Sequence, residues 1–173
     1  MHAVPPPLSP DDLIARLAAL GIATTTVEHP PVFTVGEAQA LCASIPGGHC
    51  KNLFLKDHKG RLWLVVALQE AAIDLKRLPA IMGSGRLSFG SAALLREVLG
   101  VEPGSVTPFA AINDRDGRVA VVLDEAMMAH DLLNYHPLVN TRTTTISREG
   151  LVAFLRATGH EPAIAPVSAP PTL

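Results

Sequence analysis

The chain is short of cysteine, of net charge and of long apolar runs, and each shortage excludes a class of protein. Two cysteines, Cys42 and Cys50, among 173 residues cannot build a disulfide scaffold, and they suit a reducing compartment such as the cytosol. Lysine and arginine number 14 against 16 aspartate and glutamate, a net charge of −2, so the protein is not a general polyanion coat. A local basic patch inside the balanced total stays open. No apolar run approaches the roughly 20 residues of a membrane span. The opening Met1-His2-Ala3-Val4-Pro5-Pro6-Pro7 lacks the basic-then-apolar pattern of a signal peptide. The expectation is a cytoplasmic protein with no membrane contact. What the chain does have is 48% hydrophobic residues, enough for the core of one domain.

Prolines concentrate at the ends: Pro5, Pro6, Pro7 and Pro10, then Pro162, Pro166, Pro170 and Pro171. This pattern predicts tails over 1–8 and 160–173, the second mobile, around one domain at 9–159. Ser9, Thr34, Ser91 and Ser147 precede helical patterns as N-caps, with Glu37 completing a capping box. Asp74 reads as the cap of a further helix through Ile81. The β-branched runs Ala23–Glu28 and Thr143–Ile146 read as strands. Cys50–Asp57 and Arg61–Leu68 read as a hairpin about Asp57-His58-Lys59-Gly60. Phe109–Ile112 and Arg118–Leu123 read as a second one. Interspersed helices and strands with tight hairpins imply an α+β fold, a mixed sheet with flanking helices.

Charge is uneven along this fold. Residues 51–86 hold seven of the 14 cations (Lys51, Lys56, Lys59, Arg61, Lys76, Arg77 and Arg86) against Asp57, Glu70 and Asp74. Such a face can hold a phosphate backbone, although surface lysines more often serve solubility. Lys51 alternates with Leu53 and Leu55, which puts it at the core's edge or in a cleft, where it snorkels or binds an anion. Gly104-Ser105-Val106-Thr107-Pro108 is a loop whose amides could meet a carbonyl or oxyanion, or simply a turn. His136 precedes Pro137, which pushes it into extended geometry. Gly83-Ser84-Gly85-Arg86 lacks the full spacing of a nucleotide loop. Cys42, His49 and Cys50 lack a second ligand pair at zinc-like spacing, so no metal is expected. Cys50 opens an apolar strand and suits a buried thiol better than a nucleophile.

In order along the chain, Lys51-Asn52-Leu53-Phe54-Leu55, Gly104-Ser105-Val106-Thr107-Pro108 and His136-Pro137-Leu138 with Asn140-Thr141 closely resemble the YbaK/prolyl-tRNA-synthetase-associated editing domain family, over about residues 10–160. Asp74-Leu75-Lys76, Arg86-Leu87-Ser88-Phe89 and Leu99-Gly100-Val101 share the likeness. The resemblance implies a mixed, partly barrel-like sheet and hydrolysis of the ester joining a wrong amino acid to the 3′-terminal adenosine of a tRNA. Asn52 and the His-Pro-Leu stretch are similar to the ProX-type branch, which removes alanine from tRNA(Pro). By that likeness Lys51 binds the terminal phosphate or positions the substrate, and Asn52 orients the aminoacyl end. Gly104 offers amides to the ester carbonyl, and His136 lines the aminoacyl pocket. Ser105, Thr107 and Pro108, with Lys56 and Arg86, are the expected substrate contacts. The substrate's own 2′-hydroxyl helps activate water, and no cofactor is implied. The implied partners are the acceptor end of a mischarged tRNA and prolyl-tRNA synthetase, not DNA. The alternatives are a non-catalytic nucleic-acid-binding module of the same fold and a Cys50-dependent hydrolase.

Overall fold

Leu62-Trp63-Leu64-Val65-Val66-Ala67-Leu68 is the most apolar strand-like run in the chain, and the fold is built around it. In a computed structural model, which describes residues 6–31 and 34–168, this run forms strand β3 (Leu62–Leu68) at the centre of an eight-stranded mixed sheet. Period-two alternation sends Leu62, Leu64 and Val66 into a large core on one face and Trp63 and Val65 into a smaller core on the other. A strand buried on both faces needs a continuous apolar run rather than an alternating one.

The other elements take their places around β3. The chain runs α1 (Pro10–Ala19), β1 (Thr24–Glu28), α2 (Val35–Ser44), β2 (Gly48–Asp57), β3, α3 (Leu78–Met82), β4 (Leu87–Phe89) and α4 (Ala92–Leu99). It continues with β5 (Val119–Asp124), β6 (Leu132–Tyr135), β7 (Arg142–Ser147), α5 (Arg148–Ala157) and β8 (Ala163–Ala165). The sheet order is β1-β7-β6-β2-β3-β5-β8, with β4 also on β2. The β2–β3 hairpin is antiparallel, whereas β6 on β2, β5 on β3 and β8 on β5 are parallel. The expected α+β mixed sheet is what forms. Ser9 and Thr34 make complete capping boxes, and Ser91 and Ser147 accept the N–H groups of Leu94 and Gly150.

The hairpin turn is held by one carboxylate. Asp57 is 1% exposed and accepts the N–H groups of Lys59, Arg61 and Gly85 and the Trp63 indole N–H. Burial pushes this carboxyl's pKa up, but the four donors outweigh burial and hold it below the usual carboxylate value.

Three expectations need correction. The helix expected from Asp74 begins only at Leu78: Asp74 instead accepts the Lys76 N–H in a turn, and Pro79 fits only a first helical turn. The second hairpin does not exist. Residues Pro108–Asn113 form a 3-10 helix capped by the Thr107 hydroxyl, and β5 pairs β3 in parallel. Four buried apolar residues in a row read as a strand without fixing one.

The tail expected from His160 is packed through Val167, which is 1% exposed. His160 Nε2 lies 2.8 Å from Asp114 Oδ2 with both side chains 2% exposed, and Asp124 accepts the N–H groups of Val167 and Ser168. Residues 1–5 and 169–173 of the expected tails lie outside the described residues. Asp114 keeps the Arg118 and Val119 N–H groups, but removing the His160 ring takes away a buried hydrogen-bond partner, so His160→Ala is expected to cost about 1–3 kcal/mol. A urea midpoint equal to that of the wild type would show that residues 160–168 dock without contributing to stability.

Candidate functional site

Strand β2 is paired along one edge and interrupted along the other. Its β3 edge is laddered from Cys50 to Lys56. Its other edge meets β6 at Gly48 and His49 and β4 at Leu55, Lys56 and Asp57. Between these contacts no strand covers β2 among the described residues. Both partners stop for local reasons. β6 runs into Pro137 two residues after Tyr135, and β4 gives way to Gly90 and the Ser91 cap of α4. The Gln69 N–H bonds the His49 carbonyl, and the Asp57 N–H bonds the Arg61 carbonyl. Odd-numbered β2 residues therefore bond β3, and the N–H and C=O of Asn52 face the gap.

A cavity of about 270 Å³ opens at this gap, with Lys51, Asn52, Gln69, Asn134, His136 and Thr143 among its lining residues. Lys51 is half-buried, as its alternation with Leu53 and Leu55 predicts. Its Nζ donates to the Ala71 carbonyl, which leaves two of the ammonium's three donors for an anion or carbonyl. Asn52 Nδ2 donates to the Val106 carbonyl at 3.0 Å, which fixes the amide's orientation, and its Oδ1 is buried with no partner. An orphaned buried acceptor costs about 1–3 kcal/mol, and a ligand donor would relieve it.

His136 sits one residue beyond β6, held by a hydrogen bond between Nδ1 and the Arg142 carbonyl at 3.0 Å. A carbonyl only accepts, so Nδ1 carries the proton, and Nε2 keeps its lone pair in the neutral ring. Burial lowers the His136 pKa. The Arg142 carbonyl opposes that shift, and the His29 ring, 6.3 Å away centre to centre, adds to it. Leu138, two residues on, has φ +68°, a left-handed backbone that costs about 1–2 kcal/mol in a leucine and reverses the chain behind His136.

The structure brings Lys51, Asn52 and His136 together and separates the other expected residues. Gly104 is exposed, and a methyl group built on it would lie 3.6 Å from Asn140 Nδ2, so the loop abuts the segment after His136 without lining the first cavity. Ser105, Thr107 and Pro108 are buried and act inside the fold, Thr107 as the cap of the 3-10 helix. Lys56 is exposed about 17 Å along β2 from Lys51 and on the opposite face from that lysine. Arg86 lines a separate cavity with Leu75, Lys76 and Pro79.

Cys42, His49 and Cys50 also border the first cavity. They do not converge: His49 bonds the Ile45 carbonyl and Cys50 the Gly48 carbonyl. Burial pushes the Cys50 thiol pKa up to about 12 against smaller lowering effects of Tyr135 and Asn134, which is the wrong direction for a nucleophile.

Sequence reasoning missed three residues. Asn134 bonds the Pro46 and Gly48 carbonyls, and Thr143 meets His29 Nε2 at 2.8 Å. Gln69 extends past the end of β3. The four-residue β6 that carries Asn134 has no distinctive strand pattern, whereas the β-branched run Thr143–Ile146, read as a strand, was a usable signal for Thr143.

Residues 29–154 match the family described as Aminoacyl-tRNA editing domain. The chain belongs to that family. An aminoacyl-tRNA editing domain thus spans Lys51, Asn52, Gly104 and His136. The chain is 44% identical over 154 residues to the prolyl-tRNA synthetase associated domain-containing protein 1 of Bos taurus, covering 86% of this chain and 90% of that one. It is 38% identical over 149 residues to the prolyl-tRNA editing protein ProX of Acetoanaerobium sticklandii, covering 86% and 91%. The same editing-domain fold occurs in a solved structure described as a candidate trans-editing enzyme for prolyl tRNA synthetase. Its TM-score is 0.69 at 22% identity, over 91% of this chain and 98% of that one.

Because the folded His136 binds its proton less readily than the unfolded chain, stability falls as pH drops through the ordinary histidine value of 6.5 toward the lower folded value. A histidine NMR titration is expected to place the His136 inflection below 6.5. An inflection at or above it would contradict the buried, neutral ring.

Proposed function

We propose that the protein is a trans-editing deacylase that hydrolyses mischarged tRNA(Pro), with Ala-tRNA(Pro) as substrate. The carrying observation is the convergence of Lys51, Asn52 and His136 on one small cavity beside an orphaned Asn52 Oδ1. The named function of the ProX relative points the same way. In this reading the free Lys51 donors hold the terminal phosphate or the ester end. Asn52 Oδ1 accepts from the amino group or ribose hydroxyl, and the Asn52 backbone N–H faces the ester carbonyl as oxyanion donor. This last assignment moves the role from the Gly104 loop, which lies behind Asn52. His136 Nε2 accepts a hydrogen bond from the attacking water; as the water oxygen bonds the carbonyl carbon and the bond from that carbon to the 3′ oxygen breaks, the other water proton passes to the 2′-hydroxyl, which hands its own to the departing 3′ oxygen. Positioning and oxyanion stabilisation carry the rate, with no strong protein base.

Selection follows from size. A synthetase site built for proline cannot strongly exclude a smaller side chain, because a missing methylene is worth only about 1–3 kcal/mol. A second, smaller site can accept alanine and exclude proline. The tRNA acceptor end and prolyl-tRNA synthetase are the proposed partners, in the cytoplasm.

The seven cations of residues 51–86 favour a second reading, a binding module without turnover. Deacylation assays separate the two. Ala-tRNA(Pro) is expected to be hydrolysed and Pro-tRNA(Pro) spared; equal hydrolysis of both, or of neither, overturns the proposal. Lys51→Ala is expected to lower kcat/KM by about 10²-fold or more and tRNA affinity far less, since one phosphate contact is a modest share of binding. Equal losses would favour the module.

A further inference from the structure

Asn52 stands in the walls of two cavities. Beyond it, on the side away from Lys51, lies a second cavity of about 230 Å³ whose lining includes Phe54, Phe89, Leu95, Pro103 and Val106. Its lining side chains are apolar apart from the Asn52 amide. Phe89, the last residue of β4, is 64% exposed, more than any other large hydrophobic side chain among the described residues. Gly90 follows it, and a methyl group there would come within 2.5 Å of the Phe54 ring. Glycine thus lets the backbone lie against Phe54 and leaves Phe89 at the cavity's lip. Nothing in the folding of this region calls for an exposed phenyl ring, so the ring is available to a ligand.

The charge along β4 says what kind of ligand. Lys56 is paired in register with Ser88, and the Arg86 carbonyl accepts the His58 N–H, so both cations border β4. None of the seven cations in residues 51–86 forms an ion pair with a carboxylate among the described residues, whereas Arg96, Arg118, Arg142, Arg148 and Arg156 all do. An apolar slot with an exposed aromatic ring at its lip, beside a strand pair whose other face carries the unpaired Lys56, complements a stacked base on a phosphate backbone better than an apolar peptide.

We propose that this second cavity takes the nucleobase of the 3′-terminal nucleotide, stacked on Phe89. The inference rests on the deacylase reading: with the aminoacyl group in the first cavity, the ribose lies at Asn52 and the base passes to its far side. Lys56 and Arg86 then meet the phosphates leading in. Phe89 is a positioning residue that holds the ester at Asn52 through the base.

The test uses the full chain and two fluorescein-labelled single-stranded RNA heptamers ending in CCA, one of them lacking only its 3′-terminal base. By anisotropy, the wild type is expected to bind the abasic RNA about tenfold more weakly. Phe89→Ala is expected to bind the two alike, and Phe89→Trp to restore the difference. Phe89 is exposed, so neither change threatens the fold. Equal binding of both RNAs by the wild type, no binding of either, or the same loss in Phe89→Ala overturns the proposal and leaves the cavity to an apolar protein segment. Neither RNA carries an ester, so a wild type that fails to deacylate Ala-tRNA(Pro) counts against the deacylase reading alone.

Discussion

The interrupted edge of β2 is the constraint on which the rest of the site depends. A strand laddered on both edges has no backbone group to offer a ligand, and one free on both edges has no fixed position. β2 avoids both conditions. Its β3 edge is paired along almost its whole length, and β3 is itself buried on both faces. Its other edge is covered only at the ends, by the short partners β6 and β4. Asn52 lies between them, with its side-chain amide anchored by Val106 and its backbone amide turned to the gap. The rigidity comes from the apolar core, and the opening comes from Pro137 and Gly90.

Polar groups finish what the core begins. Asn134 reaches from β6 to the carbonyls of Pro46 and Gly48 and so fixes where β2 enters the sheet. Gly47 takes φ +105° there, and an added methyl group would meet the Leu132 carbonyl at 2.9 Å, which only glycine avoids. Across the cavity the left-handed Leu138 bends the chain so that the Arg142 carbonyl meets His136. Arg142 is tied to Asp11 and Glu28. Local strain is thus held on both sides of the cavity by surrounding bonds, the usual condition for its survival at a functional site.

Much of the framework was legible in the residues because it is local. A serine or threonine cap needs only its own helix, and the Asp57-His58-Lys59-Gly60 turn needs only the two strands beside it. The misreadings are cases where distant contacts decide. Phe109–Ile112 is apolar enough for a strand, but Thr107 and Pro108 wind it into a 3-10 helix against α4 and α5. The proline-rich segment after Gly159 reads as a tail until Asp114, 46 residues away, receives His160. At the site, Lys51, Asn52 and His136 were singled out by the order of three short motifs. Their meeting at one cavity follows from the parallel pairing of β6 with β2, which no pattern of alternation announces. Ser105, Thr107 and Pro108 belong to a matching motif but face inward, so they shape the loop that holds Asn52. Lys56 and Arg86 share the basic window and stand elsewhere on it.

In the proposed function the aminoacyl ester is handled at Asn52, in the gap between β6 and β4. The most direct measurement is an amide NMR titration with adenosine carrying alanine at its 3′ position through a non-hydrolysable amide. The largest shifts are expected at the Asn52 backbone amide and at His136, with β8 and Asp114 unmoved. Shifts centred on Leu75–Leu87, with Asn52 silent, would contradict it.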